Sequence, residues 1–175
     1  MSSQSDPRPW QGPARVLAFA AIFIALHLSW QAAQDTAVRR WAVDLTTVPT
    51  ATWLLNRLDP TLLVTAVGAR LQSPHGGIQV INGCDGIDVL LMTWSAMLVI
   101  GRPMGDRLLG LLLATGMIFA LNVARVSALF LAARWSRETF DILHGTVTPL
   151  LLVAGAAAFT LYWSHRGGPH AARDR

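Results

Sequence analysis

Apolar residues run almost unbroken from Val16 to Trp30 and extend to about Ala33. That is roughly 18 residues, near the minimum for a hydrocarbon core about 30 Å thick. A second run covers Gly86 to Ile100. A third covers Leu108 to about Ala133 with Asn122 and Arg125 inside it, and a fourth Ile142 to Trp163. The pattern predicts an all-α integral membrane protein, a bundle of about four transmembrane helices near 15–33, 86–101, 107–133 and 142–164. Residues 1–14, with Pro7, Pro9, Gly12 and Pro13, read as a disordered cytoplasmic tail, and 165–175 as a basic one. The first run has a cleaved signal peptide as its rival, but no A-x-A-like site follows Trp30, which favours an uncleaved anchor.

Between the first two runs the character changes. Arg39, Arg40, Asp44, Arg57, Asp59 and Arg70 are mixed with short apolar patches, and Pro49 and Pro60 divide the stretch into pieces too short to span. Two or three amphipathic helices at the interface are predicted, with Trp41 and Trp53 at headgroup level. Ala69 to Asn82 then reads as a β-hairpin. Ser73-Pro74-His75-Gly76-Gly77 gives the turn, and Ile78-Gln79-Val80-Ile81 has the β-branching and alternation of a strand. Gly101–Arg107 and Arg134–Asp141 are expected to be short polar loops.

Composition narrows the chemistry. Of the 175 residues, 53% are hydrophobic and 14% charged, against roughly 25% charged in soluble domains. All 14 basic residues are Arg, so a Schiff-base Lys, a Ser–Lys dyad and a P-loop are excluded. The one Glu, Glu138, stands in no His-Glu-x-x-His pattern. A single Cys, Cys84, leaves no intramolecular disulfide and no Cys-rich metal site. His27, His75 and His144 lack ligand spacing, and His165 and His170 belong to the opposite tail, so neither metal nor cofactor is expected. The pI of 10.9 does not indicate nucleic acid, because the Arg residues sit in pairs beside apolar runs, as membrane proteins place charge.

Four spans put both termini on one side. Seven Arg (8, 15, 102, 107, 166, 173, 175) then lie on that side and six (39, 40, 57, 70, 134, 137) on the other, so basic-residue counting leaves absolute orientation open. Relative sidedness is firmer. Cys84 precedes the second span and His144 heads the fourth, at the same face. Arg125 lies about 27 Å along the third span from Arg107, which returns it to that face. His27 falls in the first span with no evident partner, and His75 in a turn.

Each of the three residues has two readings. Asn82-Gly83-Cys84-Asp85-Gly86 is a turn into an apolar helix. There the helix dipole lowers a thiol pKa while Asp85 and Asp88 oppose it, but a free Cys is also a common small hydrophobe. Arg125, with Asn122 on the same helical face, either stabilises a thiolate or an oxyanion, or snorkels or pairs with Asp85, Asp88 or Asp141. His144 is a proton shuttle near neutral pH or a structural interface residue.

Asn-Gly-Cys-Asp-Gly-Ile, then Asn122-Val123-Ala124-Arg125, then His144 heading an apolar helix, resembles the exosortase/archaeosortase family over about Gln72 to Trp163. The resemblance implies a membrane cysteine peptidase or transpeptidase at the outer face of the cytoplasmic membrane, with both termini inside. It implies Cys84 as nucleophile, Arg125 as thiolate or oxyanion stabiliser and His144 as general acid/base, supported by Asn122, Asn82, Asp85 and Gly86. The implied partner is a C-terminal sorting signal of an exported protein: a Pro-containing motif, a transmembrane helix and a basic tail. Membrane lipid is the second partner. About four spans instead of the eight of many members makes this a short, core-only example. The rival readings are a non-enzymatic membrane scaffold, with Arg125 paired to an Asp, and a transporter subunit, which would need polar groups through the midplane.

Overall fold

The structure is a computed structural model that describes residues 11–81, 83–100 and 102–166. The expected tails therefore lie mostly outside the described residues, as does Asn82. Helix α1 (Gln11–Ala32) begins earlier than the expected tail boundary. Helix α2 occupies 37–58, α3 is Ile87–Val99, α4 is Met104–Trp135 and α5 is Arg137–His165. A three-stranded antiparallel sheet, β1 (Thr65–Val67), β2 (Arg70–Ser73) and β3 (Gly76–Gln79), lies between α2 and α3 in the order β1-β2-β3.

Among the described residues three helices are long and apolar enough to cross a membrane: Gly12–Ala32, Met104–Trp135 and Arg137–His165. The chain is a multi-pass, all-α membrane protein with a small sheet. The expected second span is the short α3, whose 13 residues cover only about 20 Å. Its neighbours fix its direction. Asp88 in its first turn bonds His27 near the C-terminal end of α1. At the other end Met97 packs with Ala114 of α4 and Trp163 of α5. Thus α3 runs antiparallel to α1 and α4, and Cys84 shares an end with the end of α1, the second half of α4 and the start of α5.

Helix contacts within the bundle rely on small residues, as membrane packing does. Ile118 meets Leu152 and Ala156. A methyl group on Gly110 would stand 2.4 Å from Met97 Cε and 2.7 Å from the Trp163 ring. Helix α4 has 32 residues, about 48 Å, well beyond the bilayer core. Its surplus serves a second core: Val123, Val126 and Phe130 pack with Val43, Val48 and Leu55 of α2, Leu71 of β2 and Val80. This cap of α2, the sheet, the end of α4 and the start of α5 sits over the Cys84 end of the bundle.

Three local expectations are corrected. Pro49 does not break α2. A π-helical stretch, Arg40–Thr47, precedes it, and the Val48 N–H bonds Val43 O in the i→i−5 pattern; the widened turn absorbs both the missing N–H and the ring of Pro49. Residues 134–141 form no loop. Only Ser136 interrupts the helices, and its hydroxyl accepts from the Thr139 N–H at 2.9 Å as an N-cap. The hairpin has a third strand, β1, tied to α2 by Asn56: its Nδ2 donates to Val64 O at 2.8 Å and its Oδ1 accepts from Val64 N–H at 2.9 Å. Trp41 and Trp53 are both about two-thirds exposed.

Candidate active site

The turn that carries Cys84 needs glycine on both sides. Gly83 has φ +84° and Gly86 φ +77°, the left-handed region that glycine adopts without steric cost. Cys84 N–H donates to Ile81 O at 3.0 Å. The Asp85 Oδ1 accepts from Ile87 N–H at 3.1 Å and so caps α3. From the facing helix, Asn122 Nδ2 donates to Asp85 O at 2.8 Å. A methyl group on Gly86 would lie 2.8 Å from Asn122 Cγ, so Gly86 and Asn122 together set how closely the turn sits on α4.

Half-buried Cys84 puts its Sγ 2.9 Å from His144 Nε2, across 60 positions of sequence. His144 stands in a second π-helical stretch, Leu143–Val147, which again precedes a proline, Pro149. Single π turns inside α-helices frequently mark functional positions. The Phe140 ring stacks on His144 with centroids 5.3 Å apart and planes 7° from parallel. Thr148 closes the turn: its Oγ1 donates to Leu143 O at 2.9 Å and accepts from Arg125 Nε at 3.1 Å. One hydroxyl therefore links the helix turn that bears His144 to the guanidinium of α4.

The rival reading of Arg125, an ion pair with Asp85, Asp88 or Asp141, is not met among the described residues; its Nε bonds Thr148 instead. The expected lowering of the thiol pKa is also reversed. Burial pushes the Cys84 thiol up; Arg125 pulls it back down, and the Asp85 charge adds to the rise. Asp85 itself is pushed up by burial, against its bond to Ile87 N–H and the charge of Arg39, with Asp88 adding to the rise. The dominant effect is the same for both: a charged form loses water in this pocket and recovers only part of that loss.

Cys84, Arg125 and His144 thus converge, with Asn122, Asp85 and Gly86 shaping the turn. His27, expected to stand alone, bonds Asp88 Oδ1 through Nδ1 at 3.0 Å and ties α1 to the helix that carries the Cys turn. Three contributors escaped the sequence reading. Thr148 and Phe140 lie four residues either side of His144, a same-face spacing that gives a usable signal. Arg39 donates to Val80 O at 3.3 Å and faces Asp44 at 3.6 Å; nothing in the pattern of α2 marks it.

The pattern of the family described as transmembrane exosortase matches this chain over residues 11–163. Neither a curated protein nor a solved structure matches it.

Proposed function

Because this chain belongs to the transmembrane exosortase family, and so to membrane sorting transpeptidases in general, we propose that it cleaves the C-terminal sorting signal of exported proteins at the outer face of the cytoplasmic membrane through a thioester on Cys84. The observation that carries this reading is the 2.9 Å contact between Cys84 Sγ and His144 Nε2. The two groups come from separate segments, and Arg125 lies close enough for its charge to act on the thiol.

The raised thiol pKa favours a neutral thiol at rest, so His144 acts first as a base. It takes the thiol proton as Sγ attacks the carbonyl carbon of the scissile peptide. The resulting oxyanion is stabilised by the Arg125 guanidinium, preorganised through Nε and Thr148. The C–N bond then breaks, and the proton on His144 passes to the leaving amine, which stays with the transmembrane tail. A hydroxyl or amine acceptor, or water, attacks the thioester carbonyl, gives its proton back to His144, and the C–S bond breaks to restore the thiol. A cleft of about 220 Å³ between α4 and α5, lined by Leu121, Ala124, Arg125, Ala128, Thr148 and Leu151, has room for an apolar side chain of the substrate beside the scissile bond.

The test is processing of a tailed reporter protein in proteoliposomes. Cys84→Ala and His144→Ala should each lose at least ~10³-fold in rate, the scale at which removing a nucleophile or its base is felt. Arg125→Ala should lose ~10²–10³-fold, as removal of an oxyanion donor does. Normal processing by Cys84→Ala would overturn the proposal. The mass of the released product distinguishes hydrolysis from transfer.

A further inference from the structure

Strand β3 is an edge strand, and its bonding alternation can be read from the register. Val80 N–H donates to Ala69 O at 2.8 Å. Hydrogen-bonded pairs in an antiparallel ladder recur every second residue, so Leu71↔Ile78 and Ser73↔Gly76 are bonded pairs, while Arg70↔Gln79 and Gln72↔Gly77 are not. The main-chain N–H and C=O of Gly77 and Gln79 consequently face away from β2, onto the outer edge.

That edge carries no guard in its own sequence, and a helical wall stands across the groove from it. Proteins protect exposed edges with charge, proline or a bulge, but Gly76-Gly77-Ile78-Gln79 has none of these. Outside it lies a groove of about 440 Å³ walled on one side by Gly77, Ile78 and Gln79 and on the other by Ala133, Arg137, Phe140 and Asp141. Each wall of the groove leads toward the candidate active site. Phe140 is the ring stacked on His144. The chain leaving Gln79 reaches Cys84 in five residues.

We propose that the outer edge of β3 is the substrate's peptide-binding subsite: the extended segment on the N-terminal side of the scissile bond adds as a fourth strand, bonding the main chain of Gly77 and Gln79. The inference rests on the transpeptidase reading and deepens it. Strand addition supplies affinity through main-chain bonds and leaves specificity to alternate side chains, here those that face Arg137, Phe140 and Asp141. It requires that segment to be extended when it binds. The groove lies beyond the membrane-spanning part of α4, on the cap side, where the portion of the substrate that precedes its transmembrane helix would sit.

Two measurements test it, both on the full chain in proteoliposomes with the reporter of the processing assay. Gln79→Pro removes one outward N–H and no β2–β3 bond. It should raise KM ~5-fold, the effect of one lost hydrogen bond, with kcat within about twofold. Because a proline variant can disturb the sheet, the second measurement leaves the enzyme intact. Synthetic peptides that copy the residues around the reporter's cleaved bond carry a single N-methyl group at successive upstream amides. Competition with reporter cleavage should weaken at alternate positions only. Uniform inhibition along the series, with wild-type cleavage intact, would overturn strand addition while leaving the cysteine mechanism standing. Absence of cleavage by the wild-type chain would overturn both.

Discussion

A thiol 2.9 Å from an imidazole is usually discussed as an ion pair, but the surroundings of Cys84 argue for a neutral resting state. Burial is the largest influence on the thiol and raises its pKa; the opposing influence is Arg125. Alkylation of Cys84 by iodoacetamide, followed against pH, should therefore show a midpoint above that of a free thiol, ~8.5. Arg125→Ala should move the midpoint higher, because it removes a charge that stabilises the thiolate. Asp85→Asn should move it lower, because it removes a repelling one. A midpoint below neutrality would contradict this account. Thr148 gives a second residue-scale test. Thr148→Val keeps the shape and removes the oxygen shared by Arg125 Nε and Leu143 O. Thr148 is a positioning residue, so kcat should fall ~10-fold with KM little changed. The alkylation midpoint should also rise as the guanidinium loses its anchor, a shift that a purely structural role for Thr148 would not produce.

At the scale of elements, three of the four expected spans were legible because an apolar run of the right length has few alternatives in a bilayer; the other is the 13-residue α3. The polar ends of helices were not. Residues 134–141 read as a loop because charge ends a membrane pattern, yet there the helices have left the hydrocarbon and Arg134, Arg137 and Glu138 cost nothing. The π stretches were illegible for a different reason. One extra residue per turn shifts a helix face without altering the local mix of apolar and polar residues, and only the prolines at 49 and 149 hint at it. Strand β1 has three residues, too few for alternation to register. The Cys turn was legible from its glycines, and it yields an element-scale prediction. Gly86→Ala meets both the left-handed backbone, ~1–2 kcal/mol, and the Asn122 side chain at 2.8 Å. Activity should fall at least tenfold as the turn lifts from α4. Combining Gly86→Ala with Asn122→Ala should cost less than the sum of the two, since the clash and the lost Asp85 bond share one partner. Strict additivity in the two-by-two activity comparison would argue against that coupling.

The whole molecule places Cys84, the end of α1, the distal part of α4 and the start of α5 at one end, under a cap whose core is shared with α4. Trp163 lies at the other end, with the guanidinium carbons of Arg102 and Arg166 at 5.9 Å and 5.2 Å from its ring. This relative geometry was readable from span parity. Its absolute orientation was not, because Arg is divided almost evenly between the two ends and charge counting has no majority to act on. The transpeptidase reading breaks that tie, since an exported substrate meets the enzyme outside. The single cysteine makes the consequence measurable without any background. A membrane-impermeant maleimide added to intact spheroplasts at a pH near the thiol midpoint should label the chain, and Cys84→Ala should abolish the label. His144→Ala should keep it, because removing the imidazole leaves the sulfur on the same side of the membrane. Labelling that appears only after the membrane is broken would place Cys84 at the cytoplasmic face. The cap would then lie inside, and no exported sorting signal would reach the groove beside β3.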